Sequence, residues 1–530
     1  MLALHAWWAA CRPAYRGFTC ALADPATIQA RLLRRRVREG AETVLGRRLG
    51  LARISCPEEF RRHVPLTCWG DYADAVERVR QGEPDVMSVG PVRRLVPTSG
   101  TGSARKLIPW TDALGEEFSA ALAAWVGGLF SRLPQLRCGR AYWAISPLEE
   151  AADHQRSAPS GNAAVPVGCE EDSAYLGPLL RRFAGSAMAV PAEVRCIRDP
   201  GAFAYATVLA LLRARDLRLI SVWHPTYLDL LLDAALTHRE RLLADVAKGT
   251  SDLPAELPDV VRARLRAGPQ PARARELSLV DWNHPRSLWP DLALVSCWGD
   301  ASAAAPRKAL ERRLGGTEIE SKGLLATEGA ITIPFAGTHP LAINAHVYEF
   351  LGDDGRCRWP HETSVGDEYE VVISTGGGLT RYRLGDRVRV VGRLGATPCL
   401  RFLGRSGGAS DLTGEKLDEA LVCEAIAHAR IEASFAALQP MADARPMRYR
   451  LVVDRDARLD GQDAARVDEA LRRCVHYDLS RRLGQLSQVE VVISRRSAPE
   501  LLIDVAGFRG QRLGEVKPPA LLPADFPVTS

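Results

Sequence analysis

Short apolar and β-branched runs alternate with helix-spaced segments along this 530-residue chain, and that alternation requires sheets covered by helices. Residues 92–97 are extended by composition, and 112–129 bring Ala, Leu and Phe back at helical spacing. Residues 194–197 and 217–222 read as short buried strands with a helix over 202–212 between them. Residues 371–374 and 388–391 flank a glycine-rich turn and predict an antiparallel or barrel-like section. Near the start, Ile28, Leu32, Leu33 and Val37 share one helical face, while Arg31, Arg34, Arg35 and Arg36 cover the rest. Another helix is expected over 74–79, closed by Gly82 and Pro84, and the Pro/Arg/Ala-rich stretch 250–275 reads as a surface connection.

A chain of this length exceeds what one hydrophobic core organises. The glycines of Gly404-Arg-Ser-Gly-Gly408 offer a hinge, and a tail of changed composition follows. In that tail a helix is expected over 463–483, with Val467, Leu471, Val475 and Leu479 on one stripe, and strands over 449–453, 489–493 and 501–504. The expected fold class is α/β. A large N-terminal domain, 1–404, combines mixed sheets and helices with a β-barrel-like part; a hinge over 405–411 leads to a small mobile α+β domain, 412–530.

Composition narrows the function classes. Hydrophobic residues make up 46% and charged residues 25%, which is ordinary globular usage. A net charge of +5 suits an anionic small molecule but not a nucleic acid, since basic residues are interspersed with nearly as many acidic ones. The twelve cysteines are scattered, with no CxxC pair, as in a protein with reduced thiols, so the cytoplasm is the expected compartment. No run reaches about 18 apolar residues, so no membrane partner is expected, and the opening Met1-Leu-Ala-Leu-His lacks the basic leader of a signal peptide.

Four segments carry chemistry. Thr98-Ser-Gly-Thr-Gly-Ser-Ala-Arg-Lys106 offers small residues whose backbone can approach an anion, then a lysine to neutralise it. Its spacing is not that of a P-loop, and a plain turn is its simplest reading. Leu324-Leu-Ala-Thr-Glu-Gly329 follows, then Gly376-Gly-Gly-Leu-Thr-Arg-Tyr-Arg-Leu-Gly-Asp386, then Phe402-Leu-Gly-Arg-Ser-Gly-Gly-Ala-Ser-Asp-Leu-Thr-Gly-Glu-Lys416. Singly, each has a bland alternative: Glu328 as a helix cap, Arg381 with Asp386 as a surface ion pair, Gly414 as a loop end.

Taken in order, these segments resemble the acyl-adenylate-forming superfamily, and more narrowly its auxin-responsive branch, the Gretchen Hagen acyl acid–amido synthetases. Tyr142-Trp-Ala-Ile-Ser-Pro147, Leu288-Trp-Pro290, Tyr348-Glu-Phe350 and Gly510-Gln-Arg-Leu-Gly-Glu-Val-Lys-Pro518 extend the resemblance over most of the chain. Three departures stand out: Gly102-Ser103 in the phosphate loop, Leu324 where many relatives stack a tyrosine on adenine, and Thr380 for another tyrosine.

The resemblance implies ATP-dependent activation of a carboxylic acid as its acyl-adenylate, then transfer to an amine, with Mg²⁺ as cofactor. It implies that Thr98, Ser99, Gly100, Thr101 and Lys106 hold phosphates, and that Ala326 and Thr327 bind nucleotide, Thr327 at the α-phosphate. Glu328 would hold the metal, Asp386 the ribose, and Arg405 the ribose or a phosphate. Lys416 or Lys517 would neutralise the α-phosphate, making Lys416, Lys517 and Thr327 the catalytic candidates. His339, His346 and Tyr348 are candidates to line the acid pocket, against the commoner structural role of a loop histidine. The expected partners are a small-molecule carboxylic acid and an amine such as an amino acid, with the chain a monomer or weak homodimer. The competing readings are an acyl-CoA synthetase or thiol-loading adenylating enzyme, and a catalytically idle nucleotide-binding regulator.

Overall fold

A computed structural model describes residues 2–98, 106–144, 165–167, 187–197, 199–249, 257–300, 303–405, 410–509 and 519–528. The chain forms two compact units, one drawn from Met1–Thr98, Leu107–Asp300 and Arg307–Leu403, the other including Gly404–Ser530.

In the first unit, β1 (Val92–Pro97) and β2 (Leu107–Thr111) form an antiparallel pair. A parallel sheet follows in the order β3 (Arg140–Trp143), β4 (Leu217–Ser221), β5 (Leu294–Cys297), β6 (Glu318–Ser321). Parallel neighbours need crossovers, and helices Pro200–Arg213 and Ala304–Leu314 are among those supplying them. All four residues of β5 are buried, as expected of a strand covered on both faces. Then come the hairpin β7 (Leu325–Ala326) and β8 (Gly329–Ala330) and five more strands: β9 (Val347–Leu351), β10 (Cys357–Arg358), β11 (Glu368–Ser374), β12 (Tyr382–Leu394) and β13 (Thr397–Arg405). These five form one sheet in the order β10-β9-β11-β12-β13.

Three helices frame the candidate site: α1 (Leu2–Ala21), α2 (Pro25–Ala41) and α3 (Asp112–Arg132). Thr111 caps α3, its hydroxyl accepting from Leu114 N at 3.1 Å. The helices α1 and α3 approach closely because Gly127 has no Cβ; one built there would lie 2.8 Å from Tyr15 Cβ. On α2 the buried stripe is Pro25, Gln29, Leu33 and Val37, with Gln29 inside because its amide donates to the carbonyls of Ile343 and His346.

The second unit packs helices on a three-stranded sheet, β14 (Ala436–Met441), β15 (Arg448–Val453) and β16 (Glu490–Ile493). The whole is a mixed α/β fold with a small α+β unit, and the expected strands over 92–97 and 217–222 are present.

Four local expectations are corrected. Of residues 194–197 the first three belong to a 3-10 turn, Ala192–Cys196, which follows Pro191, and Ile197 ends it. Helices Asp259–Leu265 and Pro271–Ser278 occupy part of the supposed connection 250–275. The expected helix over 463–483 is two, Asp463–Leu471 and Val475–Arg482, because Cys474 turns extended and its sulfur caps the second through Tyr477 N at 3.4 Å. The supposed strand 501–504 lies in helix Ala498–Arg509, started by Ser497 and Glu500, with Leu501 and Val505 buried four apart.

Candidate functional site

The hairpin β7–β8 pairs Leu325 with Ala330 and Ala326 with Gly329, so Thr327 and Glu328 are its two turn residues. Glu328 is buried and Thr327 half-buried. At the hairpin's base, Leu324 lies in the core, its carbonyl accepting from the amides of Ile331 and Thr332 and its amide donating to Thr332 Oγ1 at 2.8 Å. Both backbone groups of Ala330 are held by side chains: its N–H donates to His346 Nε2 at 3.0 Å, and its carbonyl accepts from Tyr348 Oη at 2.5 Å. His339 Nε2 bonds the carbonyl of Ser321 at 2.8 Å. The three candidates for an acid pocket are therefore bonded to the fold itself, and His346 and Tyr348 are fully enclosed.

The segment from Gly376 to Asp386 is anchored at its start. Gly376 N donates to Glu117 Oε2 at 2.9 Å, and its carbonyl accepts from the Thr111 hydroxyl at 2.9 Å. Gly378 has φ +93° and passes so close to Met87 O that a Cβ would lie 2.3 Å away, which requires glycine twice over. Thr380 is fixed through its backbone, donating to Tyr72 Oη at 2.8 Å and accepting from it at 2.9 Å.

Arg381 makes two 2.8 Å bonds to Glu349 on β9 and further bonds to the carbonyls of Val64 and Arg61. Burial raises the Glu349 carboxyl, against the opposing pull of Arg381. Arg387 pairs with Asp353 and Glu368. Asp386 itself falls on the inward row of β12 with Leu384 and Val388, only 3% exposed. A surface ion pair with Arg381 is therefore excluded, because the arginine is buried on another carboxylate.

Thr98 follows β1 directly, and its hydroxyl is buried with no hydrogen-bond partner among the described residues. The half-buried Lys106 directly precedes β2, and Pro97 pairs with Leu107. Ser99, Gly100 and Thr101 lie outside the described residues, as do Gly102, Ser103, Lys517 and the glycines 407 and 408. Arg405 closes β13.

In the second unit the loop 410–417 is closed by Ser410 N bonding Leu417 O at 2.6 Å. Inside it Glu415 is wholly buried, accepting from the amides of Leu412 and Thr413 at 2.6 Å, from Thr413 Oγ1 at 2.8 Å and from Tyr449 Oη. Loss of water, with the negative Asp411 nearby, still pushes its carboxyl up to about 7. The next residue, Lys416, is half-buried and held at φ +47°, a conformation costing a non-glycine residue about 1–2 kcal/mol. Glu415 stood inside a motif and was readable in principle; Glu117 and His346 lie in none of the four.

No helix among the described residues is long and apolar enough to cross a membrane, and no cluster of three metal-ligating side chains occurs among them.

The fold is that of the acyl acid amido synthetases: a solved structure titled "AtGH3.15 acyl acid amido synthetase in complex with 2,4-DB" aligns with TM-score 0.65 at 19% identity, covering 97% of this chain and 94% of that one. The GH3 family N-terminal domain matches residues 14–319 and the GH3 family central domain residues 340–405, so the chain belongs to the GH3 family. Its relatives include rice (Oryza sativa subsp. japonica) "Probable indole-3-acetic acid-amido synthetase GH3.12", 28% identical over 72% of this chain and 69% of that one. Another is "Indole-3-acetic acid-amido synthetase GH3.8" of Oryza sativa subsp. indica, 25% identical over 93% of this chain and 87% of that one.

Proposed function

We propose that this chain activates a carboxylic acid with ATP as an acyl-adenylate and transfers the acyl group to an amine, an amino acid being the expected acceptor. The observation that carries the reading is the match to both GH3 domains together with relatives named as indole-3-acetic acid-amido synthetases.

A carboxylate resists nucleophilic attack because its leaving group would be oxide or hydroxide. Attack of the acid's oxygen on the α-phosphorus of ATP expels pyrophosphate and leaves a mixed anhydride whose leaving group is AMP. Such a transfer needs positioning and charge neutralisation above all. On this reading Ser99, Gly100, Thr101 and Lys106 hold the outer phosphates, with Thr98 at the foot of the loop. Ala326 and Thr327 contact nucleotide at the hairpin, and Asp386 accepts from the ribose hydroxyls. Arg405 reaches the ribose or a phosphate, and Lys416 or Lys517 neutralises the α-phosphate.

One buried carboxylate, Glu328, beside the half-buried Thr327 suits Mg²⁺, which takes one or two protein oxygens and completes its octahedron with water and phosphate. When bound, that ion neutralises phosphate charge. In the second step the amine nitrogen attacks the acyl carbon, AMP departs, and the nitrogen loses a proton. The protein acts in the cytoplasm as a monomer or weak homodimer.

Incubation with ATP, Mg²⁺ and a panel of aryl, indolyl, jasmonate-like and fatty acids should release pyrophosphate for at least one acid. Adding amino acids should then yield an amide. A thioester formed with coenzyme A in place of the amide would move the chain to the thiol-loading class. Nucleotide binding with no pyrophosphate release from any acid would make it a regulator.

A further inference from the structure

We propose that Glu117 and His346 form a buried positioning pair that holds the Thr327–Glu328 hairpin and the Gly376 turn in one register. The pair lies inside the first unit, with side chains 8% and 0% exposed. A single carboxylate oxygen, Glu117 Oε2, accepts from Gly376 N at 2.9 Å and bonds His346 Nδ1 at 2.8 Å. The other imidazole nitrogen, Nε2, receives the Ala330 N–H at 3.0 Å. Because Nε2 accepts, it carries no proton, so the ring is neutral with its proton on Nδ1, donated to Glu117. Two backbone amides from distant segments thus converge on one carboxylate, one directly and one through the ring. Oε1 of the same carboxylate faces Arg36 Nε at 3.6 Å.

The pair touches backbone at both ends. A Cβ at residue 329 would lie 2.9 Å from His346 Nε2, and one at 376 would lie 2.8 Å from Arg36 Nη1 and Ala113 Cβ. Glycine at 329 therefore lets His346 reach the main chain directly, while at 376 it leaves room for Arg36 and Ala113 beside the amide that Glu117 binds. A histidine serving only as core filler, edge-on to the rings of Phe118 and Tyr348, would not need a carboxylate partner. A leucine of similar bulk would fill the space but strand the Ala330 amide and one side of Glu117.

The consequence for catalysis rests on the reading above, in which Thr327 and Glu328 meet phosphate and metal and the Gly376 segment leads to Asp386. Neither Glu117 nor His346 is placed against substrate in that reading. Their effect belongs in the rate of adenylation, through the orientation of groups that act in the transition state.

The test uses the full chain and three variants: H346L, which removes both bonds; H346Q, whose amide oxygen can still accept from Ala330; and E117Q. With an acid that the parent activates, H346L and E117Q should lower kcat for pyrophosphate release at least tenfold while KM for ATP changes less than threefold. H346Q should recover part of the loss, and the H346L/E117Q double variant should be no slower than the slower single. A parental kcat in H346L would overturn the proposal.

Two further measurements need neither a known acid nor an active enzyme. Nitrogen NMR of ¹⁵N-histidine-labelled parent should show His346 protonated at Nδ1 and bare at Nε2; the opposite tautomer would overturn the pair. Hydrogen exchange should speed at least tenfold at both Ala330 and Gly376 in H346L, although only the first touches residue 346. A change at Ala330 alone would reduce His346 to a local prop. A parent that releases no pyrophosphate with any acid would defeat the proposed activity and leave these two measurements to judge the pair.

Discussion

Asp386 and Arg381 stand five positions apart in one motif, yet their surroundings separate them. Arg381 is held by Glu349 through two bonds, and Asp386 faces inward on the buried row of its strand with Leu384 and Val388. If that carboxylate binds a ribose, Asp386→Ala should weaken ATP about tenfold or more, since a hydrogen bond to a charged group contributes about 1.5–3 kcal/mol. Calorimetric titration with ATP would check this; unchanged affinity alongside a lowered melting temperature would make Asp386 structural. The Arg381–Glu349 pair gives a contrasting expectation. Arg381→Met should leave Glu349 buried and unpaired, destabilising the first unit by about 3–5 kcal/mol as read by denaturant unfolding. At this scale the motifs were legible because small and charged residues at fixed spacing are rare by chance. Glu117 was not, and His346 was singled out only as a candidate pocket lining; their pairing across 229 positions was hidden because nothing local links them.

Among the elements, the loop 410–417 makes a pH prediction. Burial raises Glu415 from its ordinary 4.5 to about 7, so the folded state holds a proton that the unfolded chain releases. A raised carboxyl favours folding below the unfolded value, and that contribution fades as pH rises from about 4.5 towards 7. The loss should approach about 3 kcal/mol, an order-of-magnitude figure from the size of the shift. Denaturant unfolding between pH 5 and 8 should show the second unit losing stability with pH in the parent and much less in E415Q; parallel curves would refute it. Elements with a strong period were readable, as the strand 92–97 and the helix from Asp112 show. The helix Ala498–Arg509 was misread because the three apolar residues Leu501, Leu502 and Ile503 in a row fit either period, and the cap from Ser497 and Glu500 decided between them.

For the whole molecule, the division into two compact units raises the question of exchange between two arrangements during the two half-reactions. Proline at positions 407 and 408 should leave both units folded while restricting that exchange. Pyrophosphate release and amide formation, measured separately, should then slow unequally; equal slowing of both, or of neither, would favour one rigid active site. The sequence by itself determined the α/β class, the order of the four motifs and the family resemblance, because these rest on local periodicity and on short runs of special residues. Only the tertiary structure decided that Asp386 turns inward while Arg381 seeks Glu349, and that one carboxylate on α3 ties the amides of Gly376 and, through His346, Ala330. The physical reason is that burial and hydrogen-bond partnership belong to packing between segments far apart in the chain, which no local pattern encodes.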